Sequence, residues 1–201
     1  MEDQIKQAIR ARREKEKASQ TNAILRAARK IAVEEGWTKV SIRKISKEIA
    51  YTPPVIYEHF KNKEAILIEL ESIGFRKLKF ELEEVRVAVK EPKEQLEALS
   101  LCVWDWAFKN AEVYQVMFNL QGIKSTPPSP NSLKDSAHST LETLKSLHLF
   151  STETDSLLLN WWALVHGYIS LVMSGQLPGK REQTRRELQK AIKLFAQNLS
   201  G

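Results

Sequence analysis

The run Ile45-Ser46-Lys47-Glu48-Ile49-Ala50-Tyr51-Thr52-Pro53-Pro54-Val55-Ile56-Tyr57-Glu58-His59-Phe60-Lys61-Asn62-Lys63-Glu64 decides the fold. Just upstream, Ser41 is placed to cap a short helix over 42–49, with Ile42, Ile45 and Ile49 on one apolar face. Thr52 is placed to cap the next helix, over 53–60. Pro53 and Pro54 fall in its first turn, where missing N–H groups cost least. Helices this short cannot bury themselves as a pair and need a third wall. The segment Thr21 to Glu35 supplies it. Its apolar positions Ile24, Ala27, Ala28, Ile31 and Ala32 recur at spacings of three and four, and Gly36 follows as the stop. The three segments predict a helix-turn-helix inside a three-helix unit.

Outward from this unit the pattern stays helical. Asn62 caps a long helix beginning at Lys63, along which Ile66, Leu70, Ile73, Leu78, Leu82, Val85 and Val89 keep a period near 3.6. Pro92 marks its end or the next start. Helices are then expected over 93–109, 111–120 and 132–148, with the loop Gly122 to Ser132, containing Thr126-Pro127-Pro128-Ser129-Pro130, between the last two. A helix over 153–174 is capped by Thr152 with Asp155 as its capping-box partner. Ser174-Gly175 and Pro178-Gly179 make a turn, and a final helix over 180–199 buries Leu188, Ile192, Phe195 and Leu199. Residues 1–19 read as a frayed helix or flexible arm, in which Arg10, Arg12, Arg13, Lys15 and Lys17 alternate with Glu14 and Glu16. With no period-two alternation, no hairpin signal and no internal repeat, the expected class is all-α, about nine helices.

Composition narrows the function classes. The chain has 201 residues, 42% hydrophobic and 28% charged, as a globular protein with a sizeable core does. The single cysteine, Cys102, excludes an internal disulfide and a multi-cysteine zinc site, and reads as a small buried hydrophobe rather than a redox sensor. Met1 leads into a charged stretch without an apolar core, so no secretory leader is expected and a cytoplasmic location is. No charged residue occurs from Ser156 to Gly179, but the apolar part is slightly short for a membrane span and holds Asn160, His166 and Ser170. It predicts a helix buried in protein or between two copies, and no membrane partner.

The net charge of +6 is unevenly placed. Residues 1–64 hold 15 Lys and Arg against 9 Asp and Glu, and the remaining residues hold 16 of each. A neutral body with a basic amino-terminal module points to a polyanion at that end; a merely solvated basic surface is the alternative. In a helix-turn-helix the amino-terminal end of the second helix enters the DNA major groove. Thr52 offers a hydroxyl to a base edge or phosphate, and Pro53, Pro54 and Val55 offer apolar surface to thymine methyls. Tyr57 and His59 point polar tips outward within reach of phosphates, the alternatives being core for Tyr57 and an ordinary surface histidine for His59, while Phe60 reads as core. Lys63 and the free N–H groups of its helix suit a phosphate. Ser41 and Arg43 open the helix that crosses the backbone. The Arg10–Lys17 arm is expected to add phosphate or minor-groove contacts.

This run resembles the helix-turn-helix of TetR/AcrR-family transcriptional regulators. The family shows a G-V-S turn, then L-Y-x-H/Y-F, then S/N-K-E-x-L. Here Ile56-Tyr57-Glu58-His59-Phe60 and Asn62-Lys63-Glu64-Ala65-Ile66 match the last two, and Gly36-Trp37-Thr38-Lys39-Val40-Ser41-Ile42 is similar to the family's approach to its second helix. Two departures stand out: Ala50 replaces the turn glycine, and Pro53-Pro54 removes two backbone donors. The resemblance implies a DNA-binding domain over 20–64 and a ligand-binding and dimerisation domain over 65–201, paired through helices 153–174 and 180–199. Trp162-Ala163-Leu164-Val165-His166-Gly167 also resembles a W-x-x-x-H-G signature of one carboxy-terminal class of the family.

In that second domain Trp104, Trp106, Phe108, Tyr114, Met117 and Phe118 form an aromatic-rich patch, to which Trp161, Trp162, His166 and Tyr168 add. Most read as core. Trp104, Phe108, Tyr114, Met117, Phe118, Trp162 and His166 are the candidates to line an apolar effector cavity, which leans towards an apolar or aromatic ligand. Alternatively, His166-Gly167 marks close helix packing, with the histidine bonding a neighbour. His138 and Glu142 lack a third ligand, so no metal site is expected. No catalytic cluster and no phosphate-cradling glycine loop is present, so neither cofactor nor enzyme activity is expected. The leading expectation is a ligand-responsive repressor acting as a homodimer on a palindromic operator of double-stranded DNA. The alternative is a protein-interaction module using the apolar carboxy-terminal half, with DNA binding incidental.

Overall fold

A computed structural model describes residues 1–120, 123, 154–177 and 181–197. Among them the chain forms eight α-helices and no strand: α1 (Glu2–Glu35), α2 (Ile42–Glu48), α3 (Pro53–Tyr57), α4 (Lys63–Ala88), α5 (Pro92–Lys109), α6 (Ala111–Met117), α7 (Thr154–Met173) and α8 (Arg181–Gln197). A 3-10 turn, Trp37–Lys39, joins α1 to α2. The helix expected over 132–148, nearly all of the Gly122–Ser132 loop, the Thr152 cap with its Asp155 side chain, and the His138–Glu142 pair lie outside the described residues.

The chain divides into two compact units, Met1–Leu70 and Glu71–Gly201. In the first, Ile24, Ala28, Ile31, Trp37, Val40, Ile45, Ile56, Phe60, Ile66 and Leu67 are buried. They are the apolar stripes of four helices and the 3-10 turn, which confirms that the two short helices need walls from outside. Ser41 Oγ accepts from the Lys44 N–H at 3.3 Å, and Asn62 Oδ1 accepts from the Ala65 N–H at 2.9 Å, so both expected caps form. Thr52 occupies the cap position of α3 without a side-chain bond. Pro53 and Pro54 have no N–H to give, and the next one, on Val55, goes to the Thr52 carbonyl at 3.1 Å.

α1 departs from expectation, for residues 2–19 continue it as one helix instead of fraying. No glycine or proline interrupts the chain before Gly36, alanine, lysine, arginine and glutamate favour the helix, and Arg10–Glu14 (3.0 Å) and Arg12–Glu16 (2.9 Å) pair at i,i+4. α3 and α6 are each about one turn shorter than their patterns suggest.

The second unit is built around one apolar cluster drawn from α4 to α8, including Leu82, Leu99, Val103, Trp106, Trp161, Val165, Leu188 and Ile192. Glu91 caps α5 by accepting from the Glu94 N–H at 2.8 Å, so Pro92 is a start and not an end. Across this unit Arg185 grips Asp105 with two bonds, of 2.9 and 2.7 Å. No helix is long and apolar enough to cross a membrane among the described residues.

Candidate nucleic-acid interface and buried polar cluster

The α2–α3 pair sets out its side chains by burial. Ile45 and Ile56 are fully buried, which turns the remaining faces outward. Ser41, Arg43, Thr52, Pro53 and Pro54 are exposed, Val55 is half-buried, and Tyr57 keeps 55% of its surface. These seven put hydroxyls, a guanidinium, apolar carbon and a phenol on the outer faces of the pair, groups of the kind that can meet base edges and phosphates.

His59 and Lys63 are placed differently. His59 is held on both ring nitrogens: Nδ1 lies 3.0 Å from Thr21 Oγ1, and Nε2 lies 3.1 Å from Gln20 Oε1. The amide oxygen only accepts, so the geometry fits the tautomer with the proton on Nε2. His59 thus ties the end of α3 to α1. Lys63 Nζ donates to the Trp37 carbonyl at 2.6 Å, and burial pulls its pKa down, against a smaller upward pull from Glu64. Its ammonium retains two further donors for an anion. Phe60 is buried, as expected of core.

In the second unit four of the aromatic-patch candidates converge. Phe118 lies 4.6 Å from Tyr114, 4.7 Å from His166 and 5.3 Å from Trp162, ring centre to ring centre. Trp162 stacks on His166 at 5.5 Å. Tyr114 is fully buried, and burial drives its phenol pKa well above the usual range. Burial also lowers the His166 pKa to about 4, so its ring is neutral near pH 7. The Tyr114 hydroxyl lies 2.7 Å from His166 Nδ1 and Ser170 Oγ lies 3.1 Å from Nε2, so the neutral ring donates at one nitrogen and accepts at the other, with a hydroxyl at each.

Met117 is fully buried and packs on Gly74 of α4. Trp104 and Phe108 pair at 4.6 Å and border a different, small cleft of about 150 Å³, where Arg181 stands over the Phe108 ring at 5.4 Å. Among the described residues nothing lies within 4 Å of where a Gly167 Cβ would be. The histidine half of that packing alternative holds, since His166 bonds Tyr114. The sequence reading missed Ser170, although its i+4 spacing from His166 signals the contact. It also missed Ser100, which accepts from Trp161 Nε1–H at 2.7 Å and donates to the Leu96 carbonyl at 2.7 Å. Cys102 is only partly buried, with its thiol pushed up to about 11, chiefly by burial and then by Glu81, Asp105 and Glu84. It is therefore a poor thiolate. No cluster of metal-ligating side chains occurs among the described residues.

The family model for bacterial regulatory proteins of the tetR family matches residues 24–70, and that for the tetracycline-repressor-like carboxy-terminal domain matches 96–195. No curated protein matches the chain by sequence. Solved structures share the fold at low identity. The TetR-family transcriptional regulator PfmR of Thermus thermophilus is 22% identical, with a TM-score of 0.61 over 84% of this chain and 96% of its own. The fatty acid degradation regulator FadR of Bacillus halodurans is 16% identical, with a TM-score of 0.68 over 86% and 94%. A TetR/AcrR-family transcriptional regulator of Thermobifida fusca is 16% identical, with a TM-score of 0.63 over 87% and 97%. A tetR-type helix-turn-helix unit, followed by a helical domain, defines a DNA-binding transcriptional regulator. The chain belongs to the TetR family.

Proposed function

We propose that the protein is a ligand-responsive repressor that binds a palindromic operator as a homodimer. Residues 20–64 read DNA, and residues 65–201 bind the effector and pair the two copies. The observation that carries this reading is the face of α3: Thr52, Pro53, Pro54 and Tyr57 stand out from a helix whose Ile56 is fully buried. Ser41 and Arg43 hold flanking phosphates, with the remaining Lys63 donors beside them. His59 acts by fixing the end of α3 against α1. The effector is apolar or aromatic, with Phe118 and Trp162 as its wall and the Tyr114–His166 pair as its polar limit. It lowers DNA affinity by as much as it prefers the dimer geometry whose α3 helices no longer fit successive major grooves. The repressor acts in the cytoplasm and carries out no chemistry itself.

Selection of bound sequences from a random duplex pool tests this. The expected product is a palindrome with half-sites about 34–36 Å apart centre to centre. Tyr57→Ala should then weaken operator binding at least tenfold without changing the unfolding midpoint. Binding that is weak, sequence-blind and equal in Tyr57→Ala would overturn the reading.

A further inference from the structure

α1 runs unbroken from Glu2 to Glu35, yet only its second half has a wall to pack on. Ile24, Ala28 and Ile31 are buried, whereas every described side chain from Asp3 to Ser19 is exposed. Helical stability in proteins comes mainly from packing one face on a neighbour, and the side chains of the first half are not buried against one. Arg10, Arg13 and Lys17 follow one another at spacings of three and four. The same spacing carries the stripe through Gln20 and Thr21 to Ile24, Ala28 and Ile31. The face of α1 that meets the helix-turn-helix therefore turns basic where it passes beyond it.

The direction of that stripe is visible at its inner end. Arg13, Glu16, Lys17 and Gln20 line a cleft of about 290 Å³ whose other wall is Glu58 and His59, at the end of α3. Glu14 and Glu16 are taken up by Arg10 and Arg12, whereas Arg13 and Lys17 have no ion-pair partner among the described residues. Glu58 is the one carboxylate of the cleft not on α1.

We infer that residues 2–19 form a rigid basic strut that lies along the phosphate backbone of duplex DNA beside the half-site read by α3. This rests on the DNA-reading function proposed above and adds a second, sequence-blind contact surface to it. A helix about 10–12 Å across does not enter a minor groove about 6 Å wide, so the strut meets phosphates from outside and reads no base. At 1.5 Å per residue it reaches about 27 Å, the span of about eight base pairs.

The test uses the full chain on its selected operator, titrated at two salt concentrations, with backbone-cleavage footprinting. The triple variant Arg10→Ala, Arg13→Ala, Lys17→Ala removes up to three phosphate contacts from each copy, so for the dimer on its palindrome the log–log salt slope should fall by about five, at about 0.9 per phosphate lost. Its affinity at low salt should fall at least tenfold, equally for operator and scrambled DNA, with thermal unfolding unchanged. Ala18→Pro keeps the charges but disconnects the strut from the rest of α1, and should lose the same flanking protection. An unchanged slope in the triple variant, with operator selection intact, overturns the strut and leaves the DNA-reading function standing. A flanking footprint that survives in Ala18→Pro overturns its rigidity. A change in dimer mass without a change in slope shows a contact between copies instead, and also overturns it. Failure of the wild-type chain to select any sequence counts against the DNA-reading function itself.

Discussion

Ala50 is the residue on which the α2–α3 turn depends. It sits at φ +54°, in the left-handed region, while the following Tyr51 N–H reaches back to the Ser46 carbonyl at 2.9 Å. A Cβ there costs about 1–2 kcal/mol, and glycine relieves that at about 0.5–1 kcal/mol of added unfolded-chain entropy. Ala50→Gly should therefore stabilise the protein by up to about 1 kcal/mol, read as a higher urea midpoint. His166 makes a prediction of opposite kind. Its folded pKa of about 4 lies below the ordinary 6.5, because burial disfavours the charged ring. The unfolded chain thus binds more protons between those values, and stability falls as pH drops through that window. Between pH 7 and pH 5 the loss should be about 1–2 kcal/mol. His166→Phe should flatten that dependence in denaturant titrations. An equal pH dependence in the variant would assign it to other groups.

At the scale of elements, the caps are local and the packing is not. Asn62→Ala removes the bond to the Ala65 N–H at the start of α4, and should cost about 1 kcal/mol in chemical denaturation. Gly74, in the same helix, responds to contacts far off in sequence. A Cβ there would stand 2.5 Å from Met117 Sδ and 2.8 Å from Val113 Cγ1. Alanine is the better helix former by about 1 kcal/mol, but overpacking a filled site costs about 1–3 kcal/mol. Gly74→Ala should therefore lower the thermal midpoint. A rise would mean that the Met117 side chain swings away freely.

At the scale of the whole molecule, the last two helices carry apolar surface that stays exposed among the described residues. Leu159 and Leu171 on α7 are 53% and 39% exposed, and Leu194 on α8 is 62% exposed. Homodimers are typical of the family, and these leucines are the surface we assign to pairing. Leu159→Glu with Leu194→Glu should shift the sedimenting mass from two chains to one and weaken operator binding at least tenfold. An unchanged dimer would move the pairing surface elsewhere.

The helical class, the first short helices, the caps at Ser41 and Asn62 and the exposed face of α3 were legible in the chain because each is written in neighbours three or four residues apart. So was the aromatic character of the second domain. Which aromatic side chains meet was not legible: Tyr114 and His166 are 52 residues apart, and only the packing of α6 against α7 decides that they bond while Trp104 and Phe108 border another cleft. His59 and Lys63 show the same limit. Their motif marks them for phosphates, but their partners lie 38 or 39 and 26 residues upstream, and tertiary structure gives His59 to Thr21 and Gln20 and one Lys63 proton to Trp37. Periodicity and capping are short-range physics and act before the chain has folded. The assignment of a polar group to its partner waits until burial removes water, when a distant hydroxyl or carbonyl becomes the best acceptor or donor available.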